Sequence, residues 1–438
     1  MSTLDAAFQN TELIYGVYIA LILAYGLLAP PGQRSGAMAI AVINHGGLIG
    51  LAVILVMPFI SPFPVGVVQV LTGIFIEVFC AVVFFMSSLQ IIKFLRTSAK
   101  VVQYRYLLLL IFFKLFFFAA NYIASGGQYG IFSDDSRIDH LMISPLLART
   151  WYLDMIIDFI VIFSIALRNL KEKKFRARDF LCILAIMSIS FLTGSKGATF
   201  LMIVYAMLFI YASFPRVISL IPIRVIIIVT SIFSVIVLGY VYFLSQILQV
   251  SVGDQIVLTL SRFLLSADAR IMAFDPNINS FVLSQQHGVF LSELFRGFAR
   301  ILGLSMAEFP IGVYQYQYQI GSTNYVGSTN QLSAMFIIYG GAFWLIEFFI
   351  VGVFFFLAYI FLKHSMKNNK HEVRWVAAAS FFLLSDSLAK GFDAFVQLVP
   401  ICVLVIVTLM AFPRFRLMPR RVTPSAKSYG GNVRAGAS

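Results

Sequence analysis

Long apolar segments separated by short polar ones recur along the whole chain. Each apolar run has ~15 to 25 residues, enough for a helix to cross a hydrocarbon core of ~30 Å. About eleven such runs are present, and we predict that each is a membrane-spanning helix. They lie near residues 12–29, 38–58, 64–90, 105–123, 150–168, 179–194, 197–213, 224–246, 337–362, 375–389 and 394–412.

The amino-acid composition agrees with this pattern. Of the 438 residues, 60% are hydrophobic and 12% are charged, and the mean hydropathy is +0.91. These values exclude a soluble globular protein and indicate an all-α polytopic membrane protein. The first apolar run, Leu13 to Leu28, follows an acidic segment, so we predict a retained helix and no cleaved signal peptide. Three cysteines lie in apolar runs without metal-ligand spacing and are predicted to be buried thiols: Cys80, Cys182 and Cys402.

The net charge of +13 is distributed in a way that indicates topology and not nucleic-acid binding. Lysine and arginine concentrate in short connections that alternate along the chain, as the positive-inside rule describes. We therefore expect these connections to face the cytoplasm and the N-terminus to lie outside. The six basic connections are Arg34, 93–105, 168–178, 216–224, 363–374 and the C-terminal tail.

Four parts of the chain follow from this topology. Residues 1–246 hold the first eight helices and an outer loop at 124–148, and residues 247–331 form a large periplasmic loop. Residues 332–412 hold the last three helices, and residues 413–438 are a basic cytoplasmic tail. Within the large loop, two amphipathic helices are predicted to lie in the membrane interface, at 254–266 and 289–304.

Several cations are predicted to lie on the outer side, against the positive-inside trend. Because a guanidinium group stays charged and binds phosphate in a fork, an anionic ligand such as a lipid phosphate would explain them. Any one of these arginines could instead be a snorkelling anchor, and Lys196 could be a simple turn lysine. The candidate phosphate ligands are Arg137, Lys196, Arg262, Arg270, Arg296 and Arg300.

Charged residues also occur inside the predicted helices. Lys114 lies in the fourth span, and Asp154 and Asp158 lie one helical turn apart in the fifth. Pairing of Lys114 with one of these aspartates would lower the cost of burial, and a proton relay is the alternative. Asp386 and Lys390 form a similar pair, four residues apart, in the tenth span.

No motif for nucleotide hydrolysis, dehydrogenation, or serine or zinc hydrolysis has the required sequence context. The outer cations suit a different reaction, in which they hold a pyrophosphate as it leaves, without a metal or another cofactor. A general base would then remove a proton from an attacking sugar hydroxyl. The candidates are His287, Glu293, His140 and Asp268; for His287 a solvated loop position is the alternative.

Three tyrosines alternate with glutamine near the end of the large loop, at Tyr314, Tyr316 and Tyr318. Their rings could stack on sugars, or the alternation could form a short edge strand with one aromatic face.

The architecture resembles that of the Wzy-type O-antigen polymerases, which have many membrane spans and two enlarged periplasmic loops. Thr193 to Ala198 (TGSKGA) is similar to the family's Gly-Ser-Arg-Gly-like turn. Asp135 to Asp139 (DSRID), followed by Pro145 to Leu147, resembles the arginine-bearing first periplasmic loop. Asn330 to Ala334, leading to Gly340 and Gly341, resembles the start of the helix after the large loop.

The resemblance implies a GT-C-like helical fold and arginines that handle the lipid pyrophosphate. By position it gives this role to Arg137, Lys196 and Arg270. It also implies undecaprenyl-pyrophosphate-linked glycans and membrane lipids as partners, together with a chain-length-regulating co-polymerase of the Wzz type. Nucleic acid is not expected as a partner.

The sequence therefore predicts an inner-membrane glycosyltransferase that joins lipid-linked repeat units at the periplasmic face, with inversion at the anomeric centre. Arg270, His287 and Glu293 are its predicted catalytic residues. Two alternatives stay open. An O-antigen ligase would use the same chemistry with a lipid A core acceptor, and a non-enzymatic flippase would carry its cations in a cavity at mid-membrane depth.

Overall fold

The chain folds into a bundle of α-helices. The computed structural model describes residues 2–30, 34–97, 102–129, 150–172, 176–193, 196–214, 242, 251–253, 267–285, 311–320, 332–339, 344–368, 370–390 and 392–411. Within these ranges the regular secondary structure is helical, and no strand occurs, which confirms the predicted all-α class.

We number the helices of the described ranges in chain order. They are α1 (Thr3–Gln9), α2 (Thr11–Leu28), α3 (Arg34–Ile43), α4 (His45–Ile60), α5 (Val67–Thr97), α6 (Tyr104–Ala124), α7 (Thr150–Glu172), α8 (Ala177–Leu192), α9 (Lys196–Ser213), α10 (Asp268–Met272), α11 (Pro276–Gln285), α12 (Ile311–Ile320), α13 (Leu332–Tyr339), α14 (Trp344–Ser365), α15 (His371–Lys390) and α16 (Phe392–Ala411).

Several of these helices could span a membrane. Four are long and apolar enough, namely α2, α5, α6 and the part of α14 from Leu345 to Ser365, and α3 with α4 would make a fifth if the bent pair is one span. The other described segments that we predicted as spans are also helical, but they are shorter, more charged or only partly described. Predicted span 224–246 lies outside the described residues except for Tyr242. The figure of about eleven spans therefore stays a prediction.

The predicted second span, 38–58, is not one straight helix. It bends by 80° between α3 and α4. The bend lies at Asn44, whose backbone leaves the helical region, with φ −82° and ψ 29°. A Cβ atom on Gly47 would come within 2.9 Å of the Asn44 side-chain oxygen. Glycine at this position therefore leaves room for the Asn44 side chain inside the bend.

Two described helices lie where we predicted a single span at 337–362. The side chain of Ser333 meets Glu77 in α5, and Ile337 lies against Gly73, one turn earlier in α5. These contacts make α13 antiparallel to α5. The ring of Phe348 in the following helix, α14, packs against Phe79 of α5, with centroids 4.8 Å apart.

Described residues of two predicted basic connections, 93–105 and 363–374, lie at one end of the bundle, which we call the basic end. Arg96, at the end of α5, donates to the carbonyl oxygens of Ala212 and Ser213 at the end of α9. Lys370 donates to the carbonyl oxygens of Leu409 and Met410 at the end of α16. A cation is stabilised at a helix C-terminus by the unpaired carbonyl groups and by the helix dipole.

We call the opposite end of the bundle the loop end. Since α6 and α8 run away from the basic end and α7 and α9 return to it, the loop end contains Ala124, Thr150, Leu192 and Lys196. Asn121 of α6 donates to the Thr150 hydroxyl over 2.9 Å, which fastens both sides of the 124–148 segment.

An aromatic cluster forms the core between α5, α7, α9 and α15. The ring of Phe382 lies at its centre and contacts Phe84, Phe159, Tyr205 and Phe209, with centroid distances of 5.6 to 6.3 Å. Edge-on and tilted arrangements of this kind stabilise beyond the area that they bury. The cluster holds the two halves of the chain together.

Cysteine labelling tests which end faces outward. All three native cysteines are buried, so a membrane-impermeant maleimide should not label the native protein. We expect Gln128→Cys, at the loop end, to react in intact cells, and Lys367→Cys, at the basic end, to react only after permeabilisation. The reverse order of labelling would contradict the proposed orientation.

Candidate functional site

Parts of the predicted large loop enter the helix bundle. Every residue of α10 is buried, and this short helix packs against α1, α4, α12 and α13. We predicted that residues 247–331 form a large periplasmic loop, and the part of it from Ala267 to Asp275 is buried among the helices. The segment is mostly apolar, and its polar side chains Asp268 and Arg270 form hydrogen bonds inside the bundle. These bonds lower the free-energy cost of burying the two charged groups.

Arg270 is fully buried, with 0% of its surface exposed. Its Nε donates to Oε1 of Glu77 over 2.5 Å and to the hydroxyl of Ser333 over 3.1 Å. The Ser333 hydroxyl donates to the same glutamate oxygen. The group therefore joins α10, α5 and α13 through one charge-assisted network.

Gly50 makes room for this ion pair. A Cβ atom at this position of α4 would overlap Nε, Cζ and Cδ of Arg270. Because Arg270 is held by Glu77 and Ser333, its side chain has little freedom to withdraw. Glycine is thus required at this point of α4 by the close approach of the arginine.

A second contact fixes α10 to α12. The hydroxyl of Tyr316 donates to the Asp268 carboxylate over 3.0 Å, and the Gln315 side-chain amide donates to the carbonyl oxygen of Ala269. Burial, and then the neighbouring Asp268 carboxylate, raises the pKa of Tyr316 well above its usual range. The phenol therefore keeps its proton and remains a donor.

The tyrosines at 314, 316 and 318 lie on a helix, α12, so the edge-strand interpretation was wrong. Tyr314 and Tyr316 are buried, whereas Tyr318 has 45% of its surface exposed. At the exposed end of α12, Gln319 donates to the hydroxyl of Ser2 over 2.9 Å. The N-terminus and this part of the large loop therefore lie on the same side.

The structure corrects the predicted setting of Arg270. We expected it on an outer surface, either at a pyrophosphate or as a membrane anchor, but it is buried in the bundle with Glu77. Asp268, one of the general-base candidates, is also buried and accepts from Tyr316. Both residues hold the segment in place.

Most other predicted site residues lie outside the described ranges. Lys196 begins α9 at the loop end, and its side chain is outside the description. The following residues are not described: Arg137, His140, Arg262, His287, Glu293, Arg296 and Arg300.

Glu77 is the residue that the sequence analysis missed. It is the one acidic residue of the predicted span 64–90. An ionisable residue inside an apolar span indicates a buried partner or a function, as we had argued for Lys114. The same argument, applied here, would have identified Glu77 but not Arg270 as its partner.

A second buried ion pair confirms the predicted role of Lys114. Its ammonium group lies 2.5 Å from Asp158 and donates to the Ser190 hydroxyl over 2.7 Å. The contact joins α6, α7 and α8. Lys114 is therefore paired inside the bundle, as the spacing predicted.

In the Arg270 network, the guanidinium group and the Ser333 hydroxyl both contact one oxygen of the Glu77 carboxylate, Oε1. Oε2 of Glu77 is buried and accepts no hydrogen bond from the described residues. A buried carboxylate oxygen is costly without a donor, and it is a good acceptor for a hydroxyl or amide group.

Comparison of this chain with models of known protein families, with curated proteins and with solved structures found no match.

Substitution of Gly50 tests the close approach of Arg270. We expect Gly50→Ala to lower the free energy of unfolding by about 1–3 kcal/mol, because overpacking forces side chains off their preferred positions. Gly352→Ala is the matched control, since its Cβ would meet nothing within 4 Å. Thermal unfolding in detergent measures both; equal stability of the two variants would contradict the described packing.

A double-mutant cycle tests the Arg270–Glu77 pair. Glu77→Gln and Arg270→Met should each cost about 3–5 kcal/mol, and the double variant should cost much less than their sum. The control is Glu172→Gln, which breaks the exposed pair with Arg176 and should cost under about 1 kcal/mol. Additive effects of the two buried substitutions would mean that the groups do not interact.

Proposed function

We propose that this chain is an O-antigen polymerase of the bacterial inner membrane. It joins undecaprenyl-pyrophosphate-linked oligosaccharide repeat units at the periplasmic face, as a metal-independent, inverting glycosyltransferase. The observation that carries the proposal is the burial of Ala267 to Asp275 at the Arg270–Glu77 pair. This pair attaches a cation-rich loop to the bundle. A loop that binds a lipid-linked substrate needs such a rigid attachment to hold its binding residues in place.

Chain connectivity supports this role for the loop. Arg262 precedes the buried Arg270 by eight residues in the chain, so the two residues belong to one continuous segment of the loop. Lys196 begins α9 at the loop end, and the Asn121–Thr150 bond joins the two helices that flank the Arg137 segment in the chain. In the proposal, Arg137, Lys196, Arg262, Arg296 and Arg300 bind the pyrophosphate.

The reaction is a direct displacement. The hydroxyl oxygen of the acceptor sugar attacks the anomeric carbon of the donor glycan, and the bond from that carbon to the pyrophosphate oxygen breaks. His287 or Glu293 takes the hydroxyl proton, and the cations stabilise the charge that develops on undecaprenyl pyrophosphate. Arg270, which we predicted to be catalytic, acts as a positioning residue through Glu77.

The tyrosines divide between two roles in this proposal. Tyr318, the exposed one, is placed to contact sugar rings, with Tyr314 and Tyr316 supporting α12 from the buried side. A Wzz-type co-polymerase would set the length of the product.

The polymerase assay uses purified protein, a synthetic undecaprenyl-pyrophosphate repeat unit and EDTA. We expect a ladder of product lengths, and a loss of roughly 10²-fold in rate in Arg137→Ala and in Lys196→Ala. Arg176→Ala, at the basic end, is the matched control and should keep full activity. Melting temperatures separate loss of activity from loss of folding.

A ladder that survives both substitutions would remove these residues from the site. Products that form only on a lipid A core acceptor, with no ladder, would identify an O-antigen ligase.

The flippase is a second candidate, favoured by two observations. The 80° bend between α3 and α4 interrupts a span, and the guanidinium of Arg270 lies inside the bundle, next to α4. Broken helices and internal cations are features of transporters, although those usually occur in two repeated halves. Movement of the lipid-linked repeat unit between the leaflets of a liposome, without a ladder of products, would support this function instead.

A further inference from the structure

A second polar cluster lies between α6, α7 and α8, apart from the Arg270 network. It contains Lys114, Asp158 and Ser190, and Lys114 donates to both of the others. Asp154 lies one helical turn before Asp158 on α7 and has 5% of its surface exposed. The cluster thus brings two carboxyl groups and one ammonium group into the bundle interior.

Asp154 takes no part in the hydrogen bonds of this cluster. Its Oδ1 atom is buried, and no residue in the described ranges donates to it. Lys114 is paired with Asp158, with 2.5 Å between Lys114 Nζ and Asp158 Oδ1. The ammonium group of Lys114 therefore binds Asp158 directly, and among the described residues Asp154 has no direct contact with a cation that would stabilise its negative charge.

The charges of the cluster do not balance if both aspartates are ionised. One ammonium and two carboxylates would leave a net charge of −1 among helices, and uncompensated charge is strongly disfavoured there. Neutralisation by a bound proton is the least costly way for a carboxyl group to remain in such a place.

The helices packed against α7 are α6, α8, α9 and α15. Lys114 on α6 and Asp158 on α7 itself are the charged groups whose fields act on Asp154, and α8 contributes the Ser190 hydroxyl. Helix α15 also carries Asp386, which is partly buried, and ends at Lys390, and α9 begins at Lys196; the side chains of the two lysines are outside the described part.

We propose that Asp154 is a proton-binding site, whose carboxyl group holds an exchangeable proton at neutral pH while Lys114 and Asp158 remain an ion pair. Asp154 lies four residues after Thr150, the first residue of α7, so it is about one helical turn from the loop-end terminus of that helix. The proposal is independent of the polymerase function.

Infrared difference spectroscopy of the full chain in lipid vesicles tests it. At neutral pH the wild type should show the carbonyl stretch of a protonated buried carboxyl group, and the band should disappear as the pH rises. Asp154→Asn should lose the band. Asp158→Asn should lose it too, because Lys114 can then pair with Asp154, which ionises.

Lys114→Met should instead increase the band, since neither aspartate then has a cation. Glu172→Gln, an exposed carboxylate at the basic end, is the control and should leave the band unchanged. A neutral-pH band that is unaltered in Asp154→Asn would overturn the proposal.

Thermal unfolding gives an independent reading. Asparagine resembles a protonated aspartate in shape and charge, so Asp154→Asn should unfold at the wild-type temperature, whereas Lys114→Met should unfold at a lower one. A loss of stability in Asp154→Asn as large as that in Lys114→Met would show that Asp154 is ionised and paired with a lysine. If Asp154→Asn does not fold at all, that too contradicts a neutral carboxyl group.

Discussion

The buried ion pair between Arg270 and Glu77 is the interaction on which the position of the loop segment Ala267 to Asp275 depends. Two charges taken out of water are costly, and their attraction compensates only where hydrogen bonds and geometry are favourable. Here Ser333 supplies a further hydrogen bond and Gly50 supplies the space. Since α4, α5, α10 and α13 meet at this point, the position of the loop segment follows from the pair.

Cations have different partners at the basic end of the bundle and in its interior. At the basic end, Arg96 and Lys370 donate to carbonyl groups at the ends of α9 and α16, so positive charge there caps helices. In the interior, the charges of Arg270 and Lys114 are matched by Glu77 and Asp158. The sequence predicts further cations at the loop end, and the anion binding that we propose is assigned to these residues.

Features that depend on local pattern were accessible from the sequence. Hydrophobic periodicity gave the helical class, and the rule for ionisable residues in apolar spans gave the pairing of Lys114. The partner of Arg270 was not accessible, because Glu77 lies 193 positions away and no spacing rule connects them. The alternation of Tyr314, Tyr316 and Tyr318 predicted a strand as readily as a binding face, but contacts of Gln315 and Tyr316 with α10 hold the segment as a helix. Tertiary contacts overrode the local pattern.

Hydrogen–deuterium exchange across residues 267–275 tests the central claim most directly, because it reports whether this segment of the loop is embedded in the bundle. The account predicts that these amides exchange about as slowly as those of α5 in the wild type, and that Glu77→Gln makes them exchange much faster. Rapid exchange of residues 267–275 in the wild type, at the rate of an exposed loop, would contradict it.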